Sequence, residues 1–238
     1  MGIIAGALGW LLELLYNLVH NYGITIMIFT VIFKICLYPL YKKQILSTVK
    51  MSEVQPKMME IQRKYANDKE KMNEEMAKLY KEEKFNPMGG CLPMLIQMPI
   101  IFGLFALLRD PLEYLDSSEM IFAVHESFLW IGDLTQPDLW VFPIAAGIVT
   151  FISFVQTQSQ QNTSAPGANQ TQGMMMMMKY VFPIMIVWMG RSFPAGLTIY
   201  WFVSTTVQIF FNIYFNSLRK KMKAKSEKEK IEKKKAKK

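Results

Sequence analysis

The sequence predicts an all-α membrane protein whose chain crosses the bilayer five times. The first observation is composition: 51% of the 238 residues are hydrophobic, and they are gathered into long apolar runs instead of being mixed with polar residues. Runs of about 18 or more apolar residues are typical of membrane-spanning helices. The second observation is that charge is sorted by segment. The third is a lone cation, Lys34, deep inside the first of the predicted spans.

The distribution of charge predicts the orientation of the chain. Tyr41 to Phe85 holds 11 Lys/Arg and 8 Asp/Glu, and Asn216 to Lys238 holds 12 and 3. Arg109 to Asp138 holds 1 and 7. Because loops rich in Lys and Arg face the cytoplasm, the first two segments are predicted to be cytoplasmic and the third external. The N-terminus is then outside and the C-terminus inside.

Residues 1–22 are predicted to form an amphipathic helix that lies in the membrane interface. A signal peptide is disfavoured, because there is no basic start and the small-residue pattern at residues 5–7 precedes the apolar run. A true span is the alternative. The interfacial interpretation rests on a polar stripe at helical spacing, formed by Trp10, Glu13, Asn17 and His20.

The first span, 23–41, ends at Pro39 and two basic residues, and a cytoplasmic helical hairpin follows at 42–86. Each hairpin helix carries one apolar face, and Asn67 and Asp68 separate the two and are candidate caps. The Met-rich seam is interpreted either as packing between the helices or as an adaptable docking surface. Its residues are Met51, Val54, Met58, Ile61 and Tyr65 on one face, and Met72, Met76 and Leu79 on the other.

For the basic tail, two compatible interpretations remain: a solvated, disordered anchor on anionic lipid, or binding to ribosomal RNA through phosphates.

The remaining boundaries follow from hydropathy and agree with the charge count. The predicted segments are the second span at 87–108, the external segment at 109–138, the third span at 139–155, a cytoplasmic linker at 156–173, the fourth span at 174–190, an external turn and the fifth span at 191–215, and the tail at 216–238.

Lys34 is the main candidate for function. A charge at mid-bilayer costs roughly 2.5–3.5 kcal/mol on insertion scales, so such a residue is expected to face the bundle interior or a wet cavity. Thr30 lies one turn earlier on the same face. The alternative is that Lys34 extends along its stem to the headgroups. The predicted spans contain no Asp or Glu, so the expected partner is an acidic side chain on a passing polypeptide.

Other polar residues within the predicted spans either form hydrogen bonds between helices or wet one groove together with Lys34. Trp188, Tyr200 and Trp201 are interpreted as interfacial anchors or groove walls. Neither histidine lies in a nucleophile motif, and no nucleotide loop or metal-spaced cluster occurs. We therefore expect a protein that is not an enzyme and needs no cofactor or metal. The polar residues are Gln97, Thr150, Ser153, Thr198, Ser204, Thr205, Thr206, Gln208 and Asn212.

Four sequence motifs resemble those of YidC-type membrane protein insertases. NPMGGCLPMLIQMPI at 86–100 is similar to the opening of the family's second core span, and KLYKEEKFNP precedes it. FPAGLTIYWFVS at 193–204 resembles the start of the last core span, and FLWIGDLTQPD at 128–138 the segment before the third. The resemblance covers roughly residues 10–220 and is to the short form, without a large periplasmic domain.

The resemblance implies five transmembrane helices around a hydrophilic groove that is open to the cytoplasm and to lipid but closed externally. Lys34 matches the family's groove cation, which is usually Arg; Lys keeps the charge but loses the planar, two-pronged fork. Thr30 and Trp201 match groove positions, and Gln156 matches a polar position of the third span. The hairpin is implied in substrate recruitment and the tail in ribosome contact.

The predicted function is that of an insertase and chaperone in the bacterial plasma membrane. Its expected partners are nascent membrane proteins, the lipid bilayer, the ribosome through the tail, and in some reactions the Sec translocon; no DNA partner is expected. The alternative is a small-solute or anion transporter in which Lys34 binds the anion. Transporters often contain paired repeats with broken helices, and the predicted layout shows no such symmetry.

Overall fold

The computed structural model describes residues 2–83, 92–115, 117–159 and 176–235, and within these ranges the predicted all-α class is confirmed. One π-helical stretch, Met177–Val181, leads directly into a regular helix. The α-helices are α1 Gly2–Val19, α2 Tyr22–Cys36, α3 Tyr38–Lys64, α4 Lys69–Glu82, α5 Leu92–Arg109, α6 Pro111–Tyr114, α7 Ser118–Ala123, α8 Val141–Ser159, α9 Phe182–Gly190 and α10 Ala195–Lys235.

The helices form a bundle with two chemically different ends. Residues 110–138 join α5 to α8 and gather at one end, hereafter the acidic end, which is the segment predicted to be external. Helices α2, α8 and α10 begin at this end, and α5 and α9 finish there. The opposite end, hereafter the basic end, carries α3 and α4. Helix α10 packs against α2, α3, α5 and α8, so it is the central element of the bundle.

Several of the helices are apolar enough to cross a bilayer. By length and composition, three described helical stretches qualify: Gly2–Val19, Val141–Gln158 and Ala195–Leu218. Three shorter apolar stretches, Tyr22–Cys36, Gln97–Arg109 and Met177–Gly190, correspond to the other predicted spans. The count of five spans stays a prediction.

The first predicted span is interrupted near its end. Helix α2 stops at Cys36, and α3 begins at Tyr38 with Pro39 in its first turn. Proline suits this position because its missing N–H would have no partner in the first turn of a helix. The chain therefore changes helix at Leu37, inside the segment predicted as one span at 23–41, and α3 then runs on into the hairpin.

The hairpin helices α3 and α4 pack through part of the predicted seam. Val54 and Leu79 are buried against each other, with Met58 and Ile61 beside them. Asp68 caps α4 as predicted, because its side chain accepts a hydrogen bond from the Lys71 backbone N–H at 3.1 Å. The predicted seam therefore holds at its centre, while the side chain of Met51 lies outside the described residues.

Helix α1 packs against α5 and α2 and contacts the acidic end near both of its termini. At its start, a methyl group on Gly2 would lie 3.7 Å from the Tyr114 ring, and at its middle one on Gly9 would lie 3.0 Å from Leu115. Near its end, Tyr16 donates a hydrogen bond to Glu126. Contact with the acidic end at both termini favours a helix lying across the bundle, although its length and composition would also allow a span. Its interfacial position stays a prediction.

Two segments differ from their predicted boundaries. Helix α10 continues without a break from the fifth predicted span to Lys235, so the disordered alternative for the tail is wrong within 216–235. Helix α8 continues to Ser159, four residues beyond the predicted end of the third span at 155. The rest of the predicted linker lies outside the described residues.

Candidate functional site

Lys34 is buried inside the bundle, near the end of α2. Its side chain is only 4% exposed. The ammonium Nζ donates a hydrogen bond to the Tyr41 hydroxyl at 2.6 Å and lies 3.5 Å from Gln97 Oε1. It also lies 5.2 Å from the centroid of the Tyr41 ring. The cation is thus held by protein groups within the bundle and does not extend to its surface.

Gln97 links this cation to the central helix. Its amide Nε2 donates a hydrogen bond to the Tyr200 hydroxyl at 2.6 Å. Lys34, Tyr41, Gln97 and Tyr200, hereafter the polar cluster, come from α2, α3, α5 and α10. Two consecutive helices, α2 and α3, therefore meet two that are distant in sequence, α5 and α10, at one hydrogen-bonded site.

Close packing of α10 against α2 and α5 places Tyr200 at this site. A methyl group on Gly196 would lie 3.1 Å from both Ile26 and Leu108, which leaves little room between the three helices. Tyr200 follows Gly196 by one helical turn and therefore leaves α10 on the same face. The lack of a side chain at Gly196 lets the helices approach closely enough for Tyr200 to reach Gln97.

Tyr41 reaches Lys34 from the next helix along the chain. Helical side chains lean toward the N-terminus of their helix, so Tyr41 in the first turn of α3 points back toward α2. Its ring lies 5.5 Å from that of Phe211, and it is buried with Phe215. These contacts with α10 hold the tyrosine hydroxyl against the ammonium.

The polar cluster has more hydrogen-bond donors than acceptors. An ammonium has three N–H groups and an amide has two, whereas each hydroxyl and the amide carbonyl supply the few accepting oxygens. Among the described residues, no Asp or Glu forms an ion pair with Lys34. A buried charge without a counter-ion is unfavourable, so the site is suited to receive an anionic acceptor.

The other predicted site residues have different partners. Thr30 is fully buried, and its hydroxyl donates to the Ile26 carbonyl of its own helix at 2.6 Å. Trp201 is half-buried, and its indole N–H donates to Thr150 Oγ1 at 3.2 Å, which ties α10 to α8. Gln156 is half-buried on α8. The structure therefore unites Lys34, Gln97 and Tyr200, and it gives Thr30 and Trp201 other hydrogen-bond partners.

Tyr41 belongs to the polar cluster but is absent from the predicted site. It follows Lys34 by seven residues, or two helical turns, and this spacing places two residues on one face of a continuous helix. The signal was therefore present in the sequence. It was missed because Tyr41 lies at the predicted end of the first span, beside Lys42 and Lys43, where a tyrosine is usually an interfacial anchor.

At the acidic end, carboxylates cap the helices that begin there. Glu126 accepts hydrogen bonds from the Tyr22 backbone N–H at 2.9 Å and from the Tyr16 hydroxyl. Asp138 accepts from the Phe142 backbone N–H at 2.7 Å. The first N–H groups of a helix have no partner within it, so these two carboxylates stabilise the starts of α2 and α8.

Backbone carbonyls cap the central helix α10 at the same end. The Ala195 N–H donates to the Gln136 carbonyl at 2.9 Å, and the Gly196 N–H donates to the Leu134 carbonyl at 3.0 Å. All three helices that begin at the acidic end are therefore bonded to the segment that covers it. Hydrogen bonds therefore hold this segment against the starts of the three helices.

A further carboxylate, Asp133, organises the loop that makes these contacts. It accepts hydrogen bonds from the Thr135 hydroxyl at 2.7 Å and the Thr135 N–H at 2.8 Å, and it lies 3.0 Å from His125 Nδ1. Partial burial raises the pKa of Asp133, but the bonds from Thr135 and His125 outweigh it, and the net pKa lies below the usual aspartate value. The charged form of Asp133 is therefore the one that the fold stabilises.

Comparison with known proteins confirms the predicted resemblance. The family model described as 60Kd inner membrane protein matches residues 14–225. The membrane protein insertase YidC of Syntrophus aciditrophicus (strain SB) is 39% identical over 206 residues, which cover 86% of this chain and 35% of that protein. That of Geobacter metallireducens is 40% identical over 206 residues, with 86% and 35% covered.

A solved structure shows the same arrangement of helices. The crystal structure described as an active YidC insertase with the first transmembrane domain resolved has a TM-score of 0.62 and 30% sequence identity. The match covers 89% of this chain and 46% of that one. The chain spans about a third of the length of the curated relatives it matches.

Proposed function

The chain belongs to the family of 60Kd inner membrane proteins, and we propose that it acts as a membrane protein insertase and chaperone that brings nascent polypeptides into the lipid bilayer. Relatives of the same family carry the name membrane protein insertase YidC. Insertion of a polypeptide in this way requires no covalent chemistry and no nucleotide. Transfer of an apolar segment into lipid supplies the driving force, at roughly 25 cal/mol for each Å² of apolar surface removed from water.

The observation that carries this proposal is the buried cation in an acceptor-poor cluster. A carboxylate on an incoming segment fits the ammonium of Lys34, because ion-paired hydrogen bonds are stronger than neutral ones. The pair holds the polar part of the segment while its apolar part moves sideways into lipid. Gln97 and Tyr200 support the site, and Thr30, Gln156 and Trp201 line the remainder of a groove around it.

The chemical difference between the two ends gives this process a direction. Substrate enters from the basic end, because the acidic end is covered by a loop that is bonded to three helix starts. The basic end faces the cytoplasm of a bacterial cell, in agreement with the distribution of Lys and Arg. In this orientation the N-terminus lies outside and α10 ends in the cytoplasm.

The partners follow from this orientation. The hairpin of α3 and α4 meets the nascent chain first, and the basic end of α10 contacts the ribosome or anionic lipid. Twelve basic residues in 216–238 suit either polyanion. The protein acts alone on small substrates and beside the Sec translocon on others.

The test is insertion of a small single-spanning substrate into liposomes that contain the purified protein. Two forms of the substrate carry either Asp or Asn in the segment that crosses. The wild-type protein inserts both forms above the level of empty liposomes and prefers the Asp form. Lys34→Met loses the preference and Lys34→Arg keeps it, because only the latter retains the charge.

Insertion no better than that in empty liposomes would reject the insertase activity. Equal preference for the Asp substrate by the wild-type protein, Lys34→Met and Lys34→Arg would instead remove Lys34 from the mechanism. Solute flux through the same liposomes, with no insertion, would support the anion transporter.

A further inference from the structure

We propose that the Tyr41 hydroxyl occupies the Lys34 ammonium in the resting protein and competes with the carboxylate of an incoming substrate. Tyr41 then sets how strongly the site discriminates acidic segments from neutral polar ones. This inference rests on the proposed insertase function and assigns a residue that determines its specificity.

The first argument is that Tyr41 is the principal acceptor for Lys34. The distance from Nζ to the Tyr41 hydroxyl is 2.6 Å, well within the range of a strong hydrogen bond. The distance to Gln97 Oε1 is 3.5 Å, at the outer limit of such a bond. The ring of Tyr41 adds a cation–π contact at 5.2 Å. An incoming anion therefore meets an ammonium that is already engaged.

The second argument is that this engagement is weaker than the one it prevents. A hydroxyl is a neutral acceptor, so its bond to the ammonium has one charged partner, whereas a carboxylate adds the attraction between two opposite charges. A carboxylate can therefore displace the hydroxyl, whereas a side-chain amide or hydroxyl of a substrate offers no such gain. Tyr41 stabilises the empty site, and a substrate must bind the Lys34 ammonium more strongly than the Tyr41 hydroxyl does in order to displace it.

The third argument is that the hydroxyl can release Lys34 without loss of the surrounding structure. The Tyr41 ring is fixed by Phe211 at 5.5 Å and is buried with Phe215. These ring contacts do not involve the hydroxyl. Removal of the oxygen alone, as in Tyr41→Phe, therefore frees the ammonium and leaves the aromatic contacts in place.

Tyr38 provides a matched control on the same helix. Its ring lies 5.2 Å from Phe215 and 6.1 Å from Phe211, so it belongs to the same group of aromatic side chains. Within the described part of the chain, the groups that accept hydrogen bonds from Lys34 are Tyr41 and Gln97, and the Tyr38 hydroxyl is not among them. Tyr38→Phe therefore removes an equivalent oxygen from the same aromatic cluster without changing the cation.

The experiment measures the ratio of Asp-substrate to Asn-substrate insertion in liposomes for the wild-type protein, Tyr41→Phe and Tyr38→Phe. A carbodiimide, which couples an amine to a carboxylate, reports direct contact between Lys34 and the substrate Asp. We expect Tyr41→Phe to lower the Asp/Asn ratio about threefold to tenfold, because an amide then reaches the ammonium without displacing an equivalent neutral acceptor; this is the size that the net loss of one hydrogen bond implies. The Lys34–Asp cross-link stays at or above its wild-type level, and Tyr38→Phe matches the wild-type protein.

The Asp substrate serves as the internal reference for folding, because Tyr41→Phe should insert it at or above the wild-type rate. Tyr41→Leu also lacks the oxygen and must shift the ratio in the same direction. An unchanged or higher ratio in both Tyr41 variants, with a wild-type protein that prefers Asp, overturns this inference alone. A wild-type protein that inserts nothing rejects the proposed function instead, so the two failures are distinguishable.

Discussion

The acidic end and the polar cluster use polar side chains in opposite ways. At the acidic end, Glu126 and Asp138 each accept hydrogen bonds from the backbone at the start of a helix. In the polar cluster, Lys34 is buried without a carboxylate partner among the described residues. At the acidic end the carboxylates are hydrogen-bonded by the fold, whereas the Lys34 ammonium is approached, among the groups that the structure describes, by a neutral hydroxyl and an amide.

On the proposed function, this difference separates the part of the bundle that stabilises the fold from the part that receives the substrate. Buried polar groups that are fully hydrogen-bonded make a region rigid, and the acidic end has this character. Buried groups with incomplete hydrogen bonding or charge pairing are expected at functional sites, and Lys34 in the polar cluster is such a group. Glu126 and Asp138, which cap helices at the acidic end, lie at the opposite end of the bundle from Lys34.

The largest effect is expected from Gly23→Ala, which tests whether the acidic end is as tightly packed as its hydrogen bonds suggest. A methyl group at Gly23 would overlap the ring of Phe128, and a ring held in a packed loop moves less easily than a flexible chain end. We expect a loss of about 2–3 kcal/mol in the free energy of unfolding, measured by thermal unfolding in detergent. Gly6→Ala is the control, because no atom lies within 4 Å of its new methyl group. Similar unfolding temperatures for the two variants would show that the acidic end is not tightly packed.

The second prediction places a carboxylate in the polar cluster. Gln97→Glu brings a fixed anion to a position 3.5 Å from the Lys34 ammonium, so the variant acquires a carboxylate partner of a kind that the described part of the wild-type chain does not supply. Insertion of acidic substrates should fall about tenfold, equivalent to about 1.4 kcal/mol. Gln97→Met, which removes the amide without adding charge, should fall less. Undiminished insertion by Gln97→Glu would mean that the absence of a carboxylate is not what the site requires.

The third prediction weakens a cap at the acidic end. Glu126→Gln keeps one accepting oxygen but loses the charge that binds the Tyr22 N–H and the Tyr16 hydroxyl. The free energy of unfolding should fall by about 1 kcal/mol, while the Asp/Asn preference of the insertase stays at the wild-type value. Glu119→Gln, at an exposed position of α7, should leave both quantities unchanged. A changed substrate preference in Glu126→Gln would show that the two regions are coupled.

The smallest effect concerns pH and Asp133. Because its pKa is lowered in the folded protein, its contribution to stability is fully present above the pKa of an unfolded aspartate, roughly 3.9. That contribution is lost as pH falls through the lower, folded pKa. The difference in unfolding temperature between the wild-type protein and Asp133→Asn should therefore shrink as pH falls below about 4. A difference that grows over this acidic range would contradict the direction of the pKa shift.

Much of the architecture was predictable because it follows from local patterns. Apolar runs located most of the helices, and the spacing of Val54, Met58 and Ile61 identified the hairpin face that meets Leu79. Asp68 was recognisable as a cap because short polar side chains favour helix starts. These patterns depend on residues that are close in sequence, so they can be recognised without the tertiary structure.

The polar cluster was only partly predictable, because its membership depends on contacts between distant helices. Thr30 and Lys34 share a face of α2, yet the Thr30 hydroxyl bonds to its own helix, an option that a sequence does not distinguish from a contact across helices. Tyr41 was missed because it lies at the predicted end of the first span, beside two lysines, where a tyrosine is usually an interfacial anchor. In the structure, the hydroxyl that engages the cation belongs to α3, the helix that runs on into the hairpin.

The change of helix at Leu37 lies close to Tyr41 and far from the hairpin tip. Helix α3 has 27 residues, so its far end lies about 40 Å from Leu37, whereas Tyr41 lies only about 6 Å from it. A bend of about 10° at Leu37 would move the hairpin tip by roughly 7 Å and Tyr41 by roughly 1 Å on this geometry. One ångström is enough to lengthen a 2.6 Å hydrogen bond beyond its useful range. A bend at this point would therefore link a large displacement of the hairpin tip to a small one at the hydrogen bond on Lys34.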